Sequence, residues 1–292
     1  MTTRAAARRA LVAMVAATLL WGATFVAIRD SVAHVPPATL VAWRFTAAGV
    51  LFALVLALRR KRPSRHDVTG GLLSGVLMVG GFYFQAVGLR TAAAGTSAFL
   101  TCAGTLLAAF LAWPLLGQRP GRRLVAGIAL AIIGAALLSL RAGLSLGEGE
   151  AWTLAGAVLF ALQVVAVARF APAADPVALV CVQSFAAAAI LLPFAGPPGA
   201  VAGLITGADR WRFVYLALAG STLAPLLQVY AQRTLSAGRV GLLFALEPVF
   251  ALLFALTLGG ESFVARWWLG AALILAAVCV VEWRSERGLQ LS

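Results

Sequence analysis

Arg44 and Glu247 are ionisable residues inside long apolar stretches of the chain, "PPATLVAWRFTAAGVLF" and "GLLFALEPVFALLFALTLGGE". A charged side chain in the hydrocarbon core of a bilayer is costly unless it faces protein or water, which makes both residues candidates for contact with an ion, a proton or a substrate. They could bind each other, or they could bind the carboxylate and the ammonium of a zwitterion. The structural alternatives are that Arg44 extends to an interface or bonds helix-end carbonyls, and that Glu247 satisfies donors freed by a bend at Pro248.

Uncharged polar and aromatic residues in similar stretches complete a predicted substrate cavity. Gln85 and Gln228 each lie close to the end of an apolar segment. The predicted cavity residues are Trp21, Tyr83, Gln85, Phe99, Gln163, Gln228 and Glu247, with Arg44 and Phe244 assigned either to substrate contact or to structure. Pro225 and Pro248 are expected to kink their helices, and the bend at Pro248 leaves the carbonyl of Phe244 without its helical donor. The alternative for each amide and each aromatic residue is ordinary packing between helices.

Composition places these residues in an integral membrane protein. The 292-residue chain is 62% hydrophobic and 11% charged, with a mean hydropathy of +0.96, whereas soluble domains are roughly 45–50% apolar and about 25% charged. The net charge of +13 comes from short basic clusters between apolar runs, without the basic stripe of a nucleic-acid-binding surface. Cys102, Cys181, Cys279, His34 and His66 lack the spacing of metal ligands, so no metal or other cofactor is expected.

Ten apolar segments are long enough to span a hydrocarbon core of about 30 Å. They cover residues 10–28, 38–58, 68–89, 96–116, 124–140, 151–168, 177–195, 211–232, 240–258 and 267–283. Sixteen of the 23 Lys and Arg residues lie in the two termini and in the loops on their side, six lie in the opposite loops, and Arg44 is the remaining one. Because cytoplasmic segments carry the excess of Lys and Arg, both termini are expected in the cytoplasm.

The second half of the chain matches the first. An offset of 143 residues places Gln85 on Gln228, and an offset of 139 earlier in each half places Arg44 on Gln183. The two repeats are predicted to cover residues 1–145 and 146–292. Each contains five predicted spans, and because five is odd, the second repeat enters the membrane from the opposite side. The sequence therefore predicts an all-α integral membrane fold of ten transmembrane helices in two inverted five-helix repeats.

Three stretches resemble the EamA-type members of the drug/metabolite transporter superfamily. They are "LLWGATFVAIRDSV" (19–32), "PPATLVAWRFTAAGVLF" (36–52) and "LEPVFALLFALTLGGESFVARWWLGAALILAAVCVV" (246–281). The resemblance extends from about residue 10 to 284 and implies a ten-helix, two-repeat transporter, often an exporter of metabolites. The branch it is most similar to is that of the aromatic amino-acid exporters, of the YddG type. One departure is Thr105, where the family pattern and Pro248 of the second half have proline.

Together these observations predict a secondary transporter in a bacterial-type inner membrane that exports small metabolites by alternating access, with amino acids, including aromatic ones, as the substrate class. The alternative within transport is a broad-specificity drug or metabolite exporter coupled to protons, in which Glu247 would titrate. A membrane enzyme or scaffold is the remote alternative, because the sequence contains no nucleophile motif, no carboxylate pair and no metal cluster. The expected partners are a small-molecule substrate and the lipid bilayer, with no nucleic acid, and the protein is expected to be a monomer.

Overall fold

The computed structural model describes residues 3–139, 147–196, 205–207, 210–257 and 266–288, and these described residues form helices and no strand. The α-helices are α1 Thr3–Gly22, α2 Thr24–Val32, α3 Pro37–Leu58, α4 Arg65–Gly88, α5 Ala94–Leu106, α6 Ala108–Leu116, α7 Arg122–Ser139, α8 Glu148–Phe170, α9 Pro176–Leu191, α10 Arg210–Tyr215, α11 Ala224–Gln232, α12 Ala237–Phe244, α13 Glu247–Thr257 and α14 Arg266–Gly288. Single 3-10 turns follow α8 and α9, and a π-helix, Leu216–Leu223, joins α10 to α11.

Eight segments of the described residues are long and apolar enough to cross a membrane. They are Ala5–Val32, Pro37–Leu58, Arg65–Gly88, Ala94–Leu116, Glu148–Ala173, Pro176–Phe194, Arg210–Gln232 and Ala237–Phe254. All eight overlap predicted spans. Helices α7 and α14 overlap the two other predicted spans but do not belong to this set. Leu140 and Leu258, at the ends of two predicted spans, lie outside the described residues. The fold is therefore that of an all-helical, multi-pass membrane protein.

Glycines set the closest approaches between helices. A Cβ atom built at Gly104 of α5 would lie 2.3 Å from the Cβ atom of Ala157 in α8. At the crossing of α7 and α14, a Cβ atom at Gly134 would lie 2.7 Å from the carbonyl oxygen of Gly270, and one at Gly270 would lie 2.6 Å from that of Gly134. Lipid tails are as apolar as leucine, so helices in a membrane associate through close packing of this kind. These two crossings depend on the absence of a side chain.

Three of the membrane segments are interrupted part-way along their length. The breaks lie at Ala23, at Leu107 and at Ala245–Leu246. The third break comes just before Pro248, which has no N–H to donate and is accommodated in the first turn of α13. Pro225 likewise stands in the first turn of α11, directly after the π-helix. Irregular backbone at membrane depth is tolerated where it is buried in protein or lines a cavity. The breaks therefore indicate the level at which a cavity is expected.

A polar cluster at the ends of two membrane segments joins the start of α4 to the connection before α9. Ser64 and Asp67 form a reciprocal capping box at the start of α4. The second carboxylate oxygen of Asp67 accepts a hydrogen bond from the backbone N–H of Asp175 at 3.0 Å. Asp175 caps α9 and accepts from Lys61 Nζ at 3.0 Å. Burial raises the pKa of Asp175, but the hydrogen bonds from Lys61 and from the first turn of α9 outweigh it and hold that pKa below its ordinary value.

Replacing Asp175 with Ala is expected to lower the melting temperature of the solubilised protein, because losing a helix N-cap typically costs about 1 kcal/mol. Since the folded-state pKa lies below the unfolded value, the stabilisation by the carboxylate is complete above the ordinary pKa of Asp and is lost as pH falls through the folded value. Melting curves from neutral pH to about pH 3 should therefore converge for the wild type and the variant. Asp175→Asn keeps a capping group and is the control. A deficit of the Ala variant that does not change with pH would contradict this role.

Replacing Gly104 with Ala is expected to destabilise the protein by about 1–3 kcal/mol, because the added methyl group must force α5 away from Ala157. Gly95 lies in the same helix and has nothing within 4 Å of a built Cβ atom, so Gly95→Ala is the matched control. The measurement is the temperature at which the monodisperse peak is lost in size-exclusion chromatography. Equal melting temperatures for the two variants would show that the α5–α8 crossing is not limited by this contact.

Candidate functional site

A cavity lies at the level of the helix breaks and is bounded by both halves of the chain. It contains about 440 Å³ of space outside protein atoms, counted with its opening. Its lining residues are Trp21, Thr24, Phe25, Met78, Phe82, Gln85, Thr101, Thr105, Phe160, Gln163, Gln228, Phe244 and Glu247. Trp21 and Thr24 flank the break at Ala23, while Phe244 and Glu247 flank the break at Ala245–Leu246. The cavity thus combines aromatic walls with a small number of polar groups, as small-molecule sites do.

Trp21 and Phe244 form one aromatic wall of the cavity. Their rings are stacked, with centroids 5.4 Å apart and an interplanar angle of 22°. The indole N–H of Trp21 donates to the carbonyl oxygen of Gly220 at 3.0 Å, which satisfies the donor that a buried Trp requires. Gly220 belongs to the π-helix, so Trp21 ties the cavity wall to that segment. The structure therefore brings together Trp21, a predicted cavity residue, and Phe244, which the sequence assigned either to substrate contact or to structure.

Two of the cavity residues, Gln163 and Gln228, belong to a chain of bonded amides. Gln228 Nε2 donates to Gln163 Oε1 at 3.0 Å, and Gln163 Nε2 lies 3.4 Å from Gln228 Oε1. Gln228 Nε2 also lies 3.0 Å from Gln232 Oε1, and Gln232 Nε2 donates to the carbonyl oxygen of Val164 at 2.8 Å. These bonds connect α8 to α11. Gln85 is bonded differently, because its Nε2 donates to Thr101 Oγ1 at 3.2 Å on the neighbouring helix.

Glu247 lines the cavity and is 3% exposed. Among the described residues, its carboxylate accepts no hydrogen bond and forms no salt bridge. The structure therefore does not show Glu247 satisfying donors freed by the bend at Pro248, nor does it show a pair between Glu247 and Arg44. What the structure shows is a carboxyl group at the cavity wall that is available to a donor from outside the chain.

Arg44 does not line the cavity but lies directly behind it, with 0% of its surface exposed. Its Nε donates to Ser221 Oγ at 2.8 Å. The guanidinium carbon lies 4.3 Å from the ring centroid of Phe82, a cavity residue, and 5.1 Å from that of Phe45. The two structural alternatives from the sequence are both wrong. The side chain is fully buried and so does not extend to an interface, and it donates to a hydroxyl group rather than to helix-end carbonyls.

Two residues predicted for the cavity lie elsewhere. Tyr83 is half-buried, with its ring centroid 5.9 Å from that of Phe84, and Phe99 is buried in the hydrophobic core. The predicted group of Trp21, Tyr83 and Phe99 is therefore not assembled around this cavity, because only Trp21 lines it. Phe82 occupies the place expected of Tyr83, one position earlier in α4.

Seven lining residues were not among the predicted cavity residues: Thr24, Phe25, Met78, Phe82, Thr101, Thr105 and Phe160. Their helical spacing carries a signal. Met78 and Phe82 lie seven and three positions before Gln85, which places all three on one face of α4. Thr101 and Thr105 share a face of α5 in the same way. Starting from each polar residue and adding its neighbours at three, four and seven positions would have found them.

Comparison with known proteins follows from this geometry. The sequence profile described as "EamA-like transporter family" matches residues 8–140 and, a second time, residues 147–283. The chain belongs to the EamA-like transporter family. Because the two matches cover most of the chain and eight of its segments can cross a bilayer, the protein is a membrane transporter.

Similar transporters are known from both archaea and bacteria. An uncharacterised transporter of Archaeoglobus fulgidus is 27% identical over 266 residues, which cover 91% of this chain and 83% of that protein. The uncharacterised inner membrane transporter YedA of Escherichia coli K12 is 27% identical over 281 residues, covering 92% and 89%. A solved crystal structure matches with a TM-score of 0.74 over 95% of this chain and 98% of the other, at 22% identity. At this low identity, the similarity to the crystal structure shows the fold alone.

The cavity of this EamA-like transporter predicts where a thiol reagent can enter. In a background where the three native cysteines are replaced by Ala, Thr101→Cys is expected to react with a small methanethiosulfonate reagent at least about tenfold faster than Ser97→Cys, because a reactive thiolate needs water. Ser97 lies one turn earlier on α5, is fully buried and does not line the cavity. Equal labelling rates would mean that the cavity does not admit solvent at Thr101.

Proposed function

We propose that this protein is a secondary transporter of the inner membrane that exports small metabolites by alternating access, with amino acids, including aromatic ones, as its substrate class. The observation that carries the proposal is a cavity at the level of the helix breaks that is lined by both halves of the chain and has the bonded pair of Gln163 and Gln228 in its wall. The inner membrane is supported by the similarity to YedA, which is described as an inner membrane transporter. The proposal of aromatic amino acids as substrates rests on the sequence resemblance to the YddG-like branch.

Ten spans in two inverted repeats are part of this proposal. The family profile matches the chain twice, once in each proposed repeat. The crossing of α7 and α14 supports a two-fold relation, because an offset of 143 residues places Gly127 on Gly270 and Gly134 on Ala277. A Cβ atom at Gly270 would lie 2.6 Å from the carbonyl oxygen of Gly134, and one at Gly127 would lie 3.5 Å from the carbonyl oxygen of Ala277. Each contact is thus the symmetry mate of the other. Both proposed repeats end in one of these two helices.

Alternating access needs one gate at each end of the cavity, and the glutamines supply them in this proposal. The 143 and 139 offsets relate Gln228 to Gln85 and Gln163 to Thr24. The pair in the second half is bonded, while in the first half Gln85 bonds Thr101 and Thr24 bonds the carbonyl oxygen of Trp21. With both termini in the cytoplasm, as the Lys and Arg distribution predicts, the bonded pair lies toward the cytoplasm. The conformation described here then has its cytoplasmic gate closed.

The cavity residues also support the substrate class. The stacked rings of Trp21 and Phe244 offer an aromatic surface, and Glu247 offers an acceptor for an ammonium group. A proton-coupled exporter of drugs or other metabolites is the second candidate, favoured by the same unpaired carboxyl group. The two differ in the role of Glu247, which binds the substrate cation in the first and carries a proton in the second. We propose that the transporter works as a monomer, since one chain encloses the whole cavity.

Transport by the purified protein in liposomes tests the proposal. Wild-type protein is expected to move radiolabelled L-phenylalanine across the membrane, and Trp21→Ala is expected to lose at least about tenfold in initial rate because both the ring stack and the buried donor disappear. Tyr83→Ala, on a half-buried ring outside the cavity lining, is the control for expression and folding. Absence of transport for every amino acid, dye and nucleoside in a broad panel would overturn the transport proposal.

A pH gradient separates the two candidates. Accumulation of a neutral substrate against its gradient, driven by a pH difference and abolished by Glu247→Gln, would identify proton coupling. Accumulation that is independent of the pH difference would exclude Glu247 as a proton carrier and retain its role in binding the substrate cation.

The proposed gate predicts energetic coupling between Gln163 and Gln228. Gln163→Leu and Gln228→Leu are each expected to change the transport rate, because each leaves the partner amide unpaired, and the double variant is expected to differ from the sum by about 1 kcal/mol or more. The measurement is a double-mutant cycle on initial rates. The cycle of Gln228→Leu with Gln183→Leu, whose amide bonds Ser74 instead, provides the additive reference. Additive effects in the Gln163–Gln228 cycle would contradict the proposal that this pair forms a gate.

A further inference from the structure

Arg44 carries more donors than its surroundings use. Its Nε bonds Ser221 Oγ, but within the described residues neither Nη1 nor Nη2 has a hydrogen-bond acceptor, although both are fully buried. The rings of Phe82 and Phe45 interact with the cation through their faces, which offsets only part of the cost of removing it from water. A guanidinium with two free nitrogens in its fork has the geometry that binds a carboxylate through two parallel bonds.

The second repeat shows which side chain is enough for helix packing at the position equivalent to Arg44. An offset of 139 places Arg44 on Gln183, and an offset of 143 places Met78 on Ser221. Gln183 Nε2 contacts Met78 Sδ just as Arg44 Nε contacts Ser221 Oγ, so the two contacts are symmetry mates. Both polar atoms of the Gln183 amide have a partner, since its Oε1 also accepts from Ser74 Oγ at 2.9 Å. A neutral amide therefore suffices to hold the two helices together, and the charge of Arg44 has no such explanation.

One side chain lies between this cation and the cavity. Phe82 lines the cavity, and the guanidinium carbon of Arg44 lies 4.3 Å from the centroid of the same ring. The bond to Ser221 reaches the π-helix, which also receives the indole bond of Trp21 at Gly220. Wide π turns frequently occur at functional sites and can change their hydrogen-bonding pattern. Rotation of the Phe82 ring would expose both free nitrogens to a molecule bound against Trp21.

We propose that Arg44 is a carboxylate-binding group that Phe82 covers in this conformation and that binds the acid group of the substrate when the Phe82 ring moves aside. This inference rests on the proposed function, since it assigns one end of the exported molecule: the carboxylate goes to Arg44, and an ammonium group, where present, goes to Glu247. Substrates without an acidic group would leave the free guanidinium nitrogens unpaired. The transporter therefore selects carboxylates over otherwise identical amides.

Three probes that share one ring test the selection: L-phenylalanine, L-phenylalaninamide and 3-phenylpropionate. Their affinities are measured by isothermal titration with wild-type protein, Arg44→Gln and Arg44→Lys, each verified as monodisperse. Arg44→Gln places at this position the residue type that its symmetry mate already has. The wild type is expected to bind L-phenylalanine about tenfold to a hundredfold more tightly than its amide. Arg44→Gln is expected to bind these two alike, because both keep the ammonium group assigned to Glu247, and to lose affinity for 3-phenylpropionate. Arg44→Lys is expected to recover part of the preference.

A merely structural role of Arg44 predicts a different result, in which Arg44→Gln weakens all three probes by the same factor. That result would overturn the inference. So would an unchanged preference in Arg44→Gln, and so would the absence of carboxylate binding to the wild type. If Arg44→Gln does not fold, Phe82→Leu decides. The smaller side chain is expected to raise the ratio of the affinity for 3-phenylpropionate to the affinity for phenylalaninamide several-fold, because only the carboxylate requires the ring to be displaced. Equal changes for both probes would again overturn the inference.

The same measurements distinguish this inference from the proposed function. Carboxylate binding that depends on Arg44, together with no movement of any amino acid into liposomes, would retain the binding group and reject amino-acid export. Transport of phenylalanine and its amide at equal rates and affinities would retain the transporter and reject the binding group.

Discussion

Hydrocarbon offers no hydrogen-bond partner, and the arrangement of this transporter depends on that constraint. Backbone groups that leave a helix inside the bilayer must meet protein or water. The breaks at Ala23 and Ala245–Leu246 occur where the cavity lies, and residues beside both breaks line it. The same constraint accounts for the indole of Trp21, whose donor reaches a backbone carbonyl of the π-helix. The constraint therefore favours polar groups that bond one another or the backbone, or that lie at the cavity.

Most of the buried polar side chains obey this rule, which makes Arg44 and Glu247 informative. Gln163 and Gln228 satisfy each other, and Gln183 finds Ser74 and Met78. Within the described part of the chain, two nitrogens of Arg44 and the carboxyl group of Glu247 have no partner, the first behind the cavity wall and the second in it. A protein can retain such groups at a cost in stability when they act on a ligand. Their opposite charges suit a zwitterion, which is how the cavity and the amino-acid proposal fit together.

The candidate site was predictable in its residue types and less so in its geometry. Trp21, Gln85, Gln163, Gln228 and Glu247 stand out because polar or amphipathic side chains are rare in apolar segments, and all of them line the cavity. Tyr83 does not, because neighbouring residues on a helix point about 100° apart, and the rotation of α4 turns Phe82 toward the cavity instead. The break at Ala23 lies in an apolar run without proline, and its local signal is the weak helix propensity of Gly22.

Sequence alone determined that the chain is helical and crosses a membrane. The length and apolarity of each segment are local properties, and the thickness of the bilayer requires nothing else of a spanning helix. It also determined which polar residues are costly enough to need a purpose, and which family the chain resembles. Only the tertiary structure decided which of these groups satisfy one another and which remain free. A hydrogen bond such as that between Arg44 and Ser221 joins residues far apart in the chain. Whether it forms depends on helix rotation and on approach distances set by glycines such as Gly134 and Gly270, which only the packed assembly specifies.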